Sequence, residues 1–125
     1  MTENEISAEV VDVCFKIHKE YGPGLYEAIY EELIDYELRK RSLECERQLE
    51  VKLVHENLIL NKAFRTDIVV NRKVIIEIKS IEELKALHYK QVQTYLKLMD
   101  LRLGLLVNFN VPLIKYGIHR IVNNL

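Results

Sequence analysis

Glu77 and Lys79 stand two apart in the run IIEIKS, Ile75 to Ser80, whose other members are largely apolar. Alternate residues of a strand share a face, so Glu77 and Lys79 would point one way and Ile76 and Ile78 the other. Asp67 lies upstream in TDIVV, a second β-branched-rich run. Two carboxylates brought together on facing strands repel one another unless a cation lies between them. A hard divalent ion such as Mg²⁺ takes one or two carboxylates, several waters and substrate phosphate oxygens. A lysine beside them is in reach of a phosphate or an attacking water and can stabilise developing negative charge. These are the parts for metal-assisted phosphodiester hydrolysis. The plainer reading is a surface Glu–Lys or Asp–Lys pair on a half-exposed hairpin, because ExK by itself is a common pattern. The neighbours argue for more. Val69, Val70, Val74, Ile75, Ile76 and Ile78 populate both faces, as in strands buried on both sides, where a charge needs a partner.

The register between the two runs decides the chemistry. Asn71-Arg72 is a turn signal. A loop of odd length centred on Arg72 sets Asp67 across from Glu77 on one face. A strict two-residue Asn71-Arg72 loop sets Asp67 across from Ile76 and splits the carboxylates between faces. The sequence leaves both open.

The elements that must carry these residues read as follows. Ile6 to Tyr21 has an apolar stripe at helical spacing, through Ile6, Val10, Val13, Cys14 and Ile17. YGPG, Tyr21 to Gly24, ends it. A second helix is expected from about Leu25 to Arg41, with Leu25, Ile29, Leu33 and Tyr36 or Leu38 inward. Leu49 to Val54 alternates as a strand with one wet face, His55 to Asn57 reads as a turn, and Leu58 to Leu60 as a short strand. Thr66–Val70 and Lys73–Lys79 form the hairpin. Leu84 to Met99 reads as a third helix. LGLLVNF, Leu103 to Phe109, is a continuous apolar strand expected near the centre, and Lys115 to Val122 a last short one. The order α-α-β-β-β-β-α-β-β predicts an α/β or mixed α+β fold with helices packed on a mixed sheet.

Composition narrows the function classes. The chain has 125 residues, 49% hydrophobic and 30% charged, as in an ordinary soluble globular protein of one domain. A net charge of −1 leaves room for nucleic acid only at a local patch. RKRSLECER, Arg39 to Arg47, is the densest basic stretch and reads first as a solvated helix end. Cys14 and Cys45 make no disulfide framework and no CxxC. The N-terminal MTENEISAEV has no apolar core of a signal peptide, and no run approaches the roughly 20 apolar residues of a membrane span. A reducing cytoplasmic setting is expected, with no membrane partner. His18, His55, His88 and His119 show no zinc-ligand spacing with the cysteines.

Two helices offer further polar residues. Glu27 follows Gly22-Pro23-Gly24 near a helix N-terminus, where a carboxylate is favoured in any case. Tyr30 and Glu31 stand one turn on. On the third helix His88, Gln91 and Tyr95, three and four apart, share a face that is either a polar surface stripe or the wall of a site.

GLYEAIY, Gly24 to Tyr30, fits the pattern GxxExxY. With KIHKEYGPGLYEAIYEEL, TDIVVNRKVIIEIKS, HYKQVQTYL and LLVNFN in that order, the chain resembles the GxxExxY family of the PD-(D/E)XK nuclease-like superfamily, over roughly Val10 to Val122. The resemblance implies one domain spanning residues 1–125 with a restriction-endonuclease-like core of helix, three antiparallel strands, helix and strand. It implies Asp67 as the motif aspartate and Glu77 and Lys79 as the (D/E)XK pair. Glu27 becomes the helix acid that helps bind a metal or its water. Gln91 and Tyr95 match a QxxxY element that positions the metal shell or the substrate backbone, and His88 matches a family histidine. Ser42 departs from the pattern, where glycine is common after the second helix. Every expected acidic and lysine position is present.

Two functions follow. The first is a Mg²⁺- or Mn²⁺-dependent nuclease in which Asp67, Glu77 and the backbone carbonyl of Ile78 ligate the metal and Lys79 orients or activates the water. Its partner is nucleic acid, DNA ahead of RNA, and a homodimer would let one small domain cut both strands. The second is a nuclease-fold module that binds nucleic acid or a protein without cutting.

Overall fold

The structure is a computed structural model that describes residues 1–125. Helix α1 spans Glu3–Tyr21 and α2 Glu27–Lys40. Strands β1 (Cys45–His55), β2 (Leu58–Val70) and β3 (Val74–Lys79) follow. Helix α3 (Ala86–Met99) crosses over to β4 (Leu103–Asn108), and a 3₁₀ turn at Ile114–Tyr116 precedes β5 (Ile118–Val122). The five strands lie in the order β1-β2-β3-β4-β5. Only β3 and β4 run parallel, the pair that α3 connects, as a parallel pair requires a crossover. This is the α/β, restriction-endonuclease-like core.

The sheet is buried on both faces, as the double-sided apolar pattern requires. Val70, Val74, Ile76 and Ile78 pack with the α1 stripe of Ile6, Val10, Val13, Cys14 and Ile17. On the other face Val69, Ile75 and Leu106 meet Val92 and Leu96 of α3. That approach is close. A methyl group on Gly104 of β4 would stand 2.7 Å from Val92 Cγ1.

Four expectations need correction. Leu58–Leu60 and Thr66–Val70 are one strand, so the sheet has one strand fewer than the sequence suggests. Asn61, Lys62 and Arg65 break the apolar alternation, but this part of β2 is an exposed ribbon held by its ladder to β1, with Leu53 opposite Leu60 and Val51 opposite Phe64. The inner face of α2 is Tyr30, Glu31, Ile34 and Leu38, while Ile29 and Tyr36 are exposed. Tyr30 sets that rotation: its ring stacks on Phe109 at 4.1 Å between centroids. Helix α3 starts at Ala86, and Leu87 and Leu98 are exposed. The last strand starts at Ile118, after the 3₁₀ turn.

Tyr30 also explains the spacing of the GLYEAIY stretch. Its hydroxyl donates to the Gly22 carbonyl at 2.6 Å and accepts from the Leu25 amide at 3.2 Å. It thereby fixes a loop in which Gly22 and Gly24 take φ of 69° and 108°, a region that favours glycine. The loop in turn sets where α2 begins and where Glu27 stands. Tyr30→Phe should lower stability by about 1–3 kcal/mol, because the Gly22 carbonyl and Leu25 amide lose a partner in a part-buried place. Urea denaturation would measure it. An unchanged midpoint would mean that the loop holds itself.

Candidate functional site

The hairpin register is the one that faces the carboxylates. Ile68, Val69 and Val70 pair with Ile76, Ile75 and Val74, so the loop has three residues centred on Arg72. Asn71 and Arg72 adopt left-handed φ of 49° and 55°, and Asn71 Oδ1 accepts from the Glu44 amide at 2.8 Å. Backbone pairing is recorded as far as Ile68 and Ile76. Beyond it the side chains take over. Glu77 Oε1 accepts the Asp67 amide at 3.1 Å, and Asp67 Oδ2 accepts the Ile78 amide at 2.8 Å.

Strand β2 is out of phase with itself at this point. Val69 packs under α3, and Phe64, five residues back, also faces α3, stacked on Tyr95 at 4.1 Å. Strict alternation would put residues an odd number apart on opposite faces. The phase changes where the β1–β2 ladder has a gap, between Arg47↔Ile68 and Leu49↔Thr66. The residues in the gap are Gln48, at φ 51°, and Asp67. Irregularities of this kind re-aim a side chain beside a site. Here Asp67 reaches a depression of about 420 Å³ lined by Glu27, Ala28, Glu31, Gln48 and Asp67.

Glu77 lies behind Asp67 and is only 7% exposed. Burial, and then the Asp67 charge, push its carboxyl up to about 8. The Asp67 amide and Lys79 oppose that shift without cancelling it. Lys79 is half-buried and forms no ion pair within 4.0 Å. Burial, and then the Glu77 and Asp67 charges, also raise the Tyr95 hydroxyl above the ordinary tyrosine range.

Glu27 comes from the first turn of α2 and accepts the Ser80 amide at 3.1 Å, while Ser80 Oγ donates to the Leu25 carbonyl at 2.8 Å. These bonds tie the start of α2 to the end of β3 and bring Glu27 to the carboxylate end of the sheet. The α3 stripe divides. The Tyr95 ring stacks on Phe64 of β2. Gln91 is exposed in a groove between α3 and the β1–β2 ribbon, with Leu53, Phe64 and Tyr95. His88 Nδ1 accepts the Lys85 amide at 2.9 Å and so caps α3 with its proton on Nε2.

Glu31, Gln48 and Arg47 join the site with little warning from the sequence. Glu31 is 6% exposed. It accepts from Gln48 Nε2 at 2.5 Å and from Arg47 at 3.0 Å, and Gln48 Nε2 lies 3.4 Å from Asp67 Oδ1. The i, i+4 spacing of Glu27 and Glu31 was a signal for a shared helix face; nothing local marked Gln48. Asn108, at the end of β4, was hidden in an apolar run. Its side chain donates to the Ile81 carbonyl and accepts from the amides of Ile81 and Asn110, clipping the two loops that follow β3 and β4.

The donor set suits a hard cation in part. Asp67 and Glu77 are adjacent oxygen donors whose mutual repulsion would be relieved by a positive ion, and two carboxylates suffice where waters and phosphate complete the shell. No three His, Cys, Asp or Glu side chains converge as they would in an all-protein cage. Soft-metal chemistry is poorly served. Burial pushes the Cys14 thiol up to about 12 and the Cys45 thiol up to about 11, so neither readily supplies a thiolate.

The raised Glu77 carboxyl makes stability depend on pH in a defined direction. Between about 4.5, its ordinary value, and about 8, the folded chain holds a proton that the unfolded chain has released. Metal-free stability therefore falls as pH rises through that window and levels off above it, by on the order of 5 kcal/mol from this group. Urea unfolding across the window, beside Glu77→Gln, should show a fall in the parent that is absent from the variant. Parallel profiles would place the titration elsewhere.

Neither the comparison with curated proteins nor that with solved structures gives a match. No helix is long and apolar enough to cross a membrane. The profile of one family, described as the PD-(D/E)XK nuclease superfamily, matches residues 4–121. That span takes in Glu27, the facing Asp67 and Glu77, Lys79, strands β1 to β4 and all but the last residue of β5, and the chain belongs to the PD-(D/E)XK nuclease superfamily.

Proposed function

We propose that the protein is a Mg²⁺- or Mn²⁺-dependent nuclease of the GxxExxY group that hydrolyses phosphodiester bonds in nucleic acid, DNA ahead of RNA, with residues 1–125 acting as one catalytic domain. The observation that carries this reading is the facing of Asp67 and Glu77 at the end of β2 and β3, with Lys79 on the same strand and no ion pair of its own. Asp67, Glu77 and the Ile78 carbonyl would hold the metal, which when bound polarises the phosphodiester and lowers the pKa of water. Lys79 orients the attacking water and stabilises charge growing on the phosphate oxygens. Glu27, tied to Ser80, would help hold the metal or its water from the start of α2. Tyr95 supports the carboxylates from α3, Gln91 follows it toward the substrate backbone, and His88 acts through the start of α3.

One observation favours a second reading, a nuclease-fold module that binds without cutting. Each carboxylate already accepts a backbone amide, and no three ligating side chains converge. Incubation with labelled single- and double-stranded DNA and RNA, with Mg²⁺ or Mn²⁺, separates the two. Metal-dependent cleavage should be lost by at least about 100-fold in Glu77→Gln, Asp67→Asn and Lys79→Met, on the scale of removing one charge-stabilising group. Mn²⁺ binding, followed by titration calorimetry, should be lost in the first two variants and kept in the third. A parent that neither cuts nor binds Mn²⁺ overturns the nuclease.

A further inference from the structure

Three depressions are lined by shared or neighbouring residues on the carboxylate side of α2 and the loops beside it. The first is the Asp67 depression, and Glu27 is also a wall of the second. The second, of about 390 Å³, lies among Gly24, Leu25, Tyr26, Glu27, Ser80 and Asn110. The third is the largest of these, about 760 Å³, and its walls include the residues next in sequence on the same two loops, Gly22 and Pro23 on one side and Pro112 and Leu113 on the other.

The character of the walls changes along this path. It starts acidic, at Glu27, Glu31 and Asp67. In the middle stands Tyr26, 85% exposed although its backbone starts α2. At the far end lie Lys16, Lys19 and Lys115 with Phe15, itself 43% exposed. Asp12 is the one acid there, and Arg41 already pairs with it at 2.8 Å. Lys16 pairs with Glu37, but Lys19 and Lys115 have no carboxylate partner. A large aromatic left in water costs apolar surface that folding has not recovered. Here it lies between an acidic end suited to a metal and a cationic end suited to phosphate.

We propose that this path is the track for one strand of nucleic acid, with a base stacked on Tyr26 next to the scissile phosphate and the following phosphates held by Lys19 and Lys115. The proposal rests on the nuclease reading of the Asp67 depression and adds its substrate class, single-stranded nucleic acid. Aromatic platforms interleaved with a cationic groove are how single strands are held without base readout. A duplex is gripped across a broader and more strongly cationic face. This chain has a net charge of −1 and only two unpaired lysines on the path, so it offers no such face. Loops also bound the path on two sides, Gly22–Leu25 and Asn110–Leu113, and the Tyr30 hydroxyl and the Asn108 side chain hold them in place.

The test is equilibrium binding of fluorescent oligonucleotides to the full chain in EDTA, so that no cutting intervenes. A single-stranded oligonucleotide should bind at least about 10-fold more tightly than the same sequence as a duplex. Tyr26→Ala should weaken single-strand binding roughly 5- to 100-fold, the range of one base–aromatic stack. Tyr26→Phe, which keeps the ring, should bind as the parent does. Lys19→Ala with Lys115→Ala should reduce the slope of log K against log salt by about 1.4, two phosphates on a single strand. Thermal unfolding of each variant should match the parent, since these side chains lie at the surface. Equal binding of duplex and single strand, or a Tyr26→Ala variant that binds as the parent does, overturns the track. Binding that follows these expectations in a chain that cuts nothing keeps the track and rejects the nuclease. Cleavage lost in Glu77→Gln but indifferent to Tyr26, Lys19 and Lys115 keeps the nuclease and rejects the track.

Discussion

Asp67 and Glu77 each accept the amide of a residue on the other's strand, and the rest of the site is arranged around that exchange. A buried ladder that ended at Ile68 and Ile76 would leave amides without partners, at a cost of about 1–3 kcal/mol each. The two carboxylates fill that gap. In doing so they are held side by side, where the Asp67 charge opposes the ionisation of Glu77. Backbone satisfaction thus holds in place an electrostatic conflict that free side chains would escape by rotating apart. The conflict falls mostly on Glu77, which is the more buried and whose carboxyl is pushed up to about 8.

The scaffold isolates this conflict. Strand β3 is apolar on both faces and lies between β2 and β4, with α1 and α2 on one side and α3 on the other. Its end is where polar groups can gather without a core to exclude them. Tyr30, Ser80 and Asn108 each use hydrogen bonds to hold a loop at that end. The Arg47–Glu31–Gln48 network does the same from α2 and β1. Arg47 also pairs with the exposed Glu32 at 2.8 Å, so the network runs from solvent to the side of Asp67. Groups fixed by packed elements hold geometry better than groups on free loops, which is what a site that must present charge at one point requires.

Local pattern made much of this legible and tertiary pairing hid the rest. The α1 stripe was readable because every third or fourth residue is apolar and one face is buried. The double-sided burial of β3 was readable from its unbroken β-branched run. The register was not, since an odd loop and a two-residue loop both satisfy Asn71-Arg72; the pairing of Val70 with Val74, with Asn71 tied to Glu44, makes it the odd one. The face of α2 was misjudged because Ile29 outranks Tyr30 in hydropathy, whereas the aromatic stack with Phe109 fixes the rotation. Gln48 could not be found at all. Its role depends on a gap in the β1–β2 ladder and on Glu31 arriving from α2, and neither leaves a trace in the residues next to it.

The placement of Glu77 also shows that this chain carries an acidic pair where a quieter one would serve the backbone. Asparagine or glutamine could accept the same amides without repulsion, and the fold alone would favour them. An acidic pair that satisfies the backbone less comfortably than its amides would is a local cost at a position where the rest of β3 is optimised for burial. Strain or electrostatic cost concentrated at one point of an otherwise consistent structure is the pattern expected of a functional site, and it supports the site proposed at Asp67 and Glu77. The same reasoning separates the polar residues here. Asn108 and His88 answer backbone groups with neutral side chains and no repulsion, as supports do. Asp67 and Glu77 answer backbone groups at the expense of one another, a conflict that a cation between them would resolve.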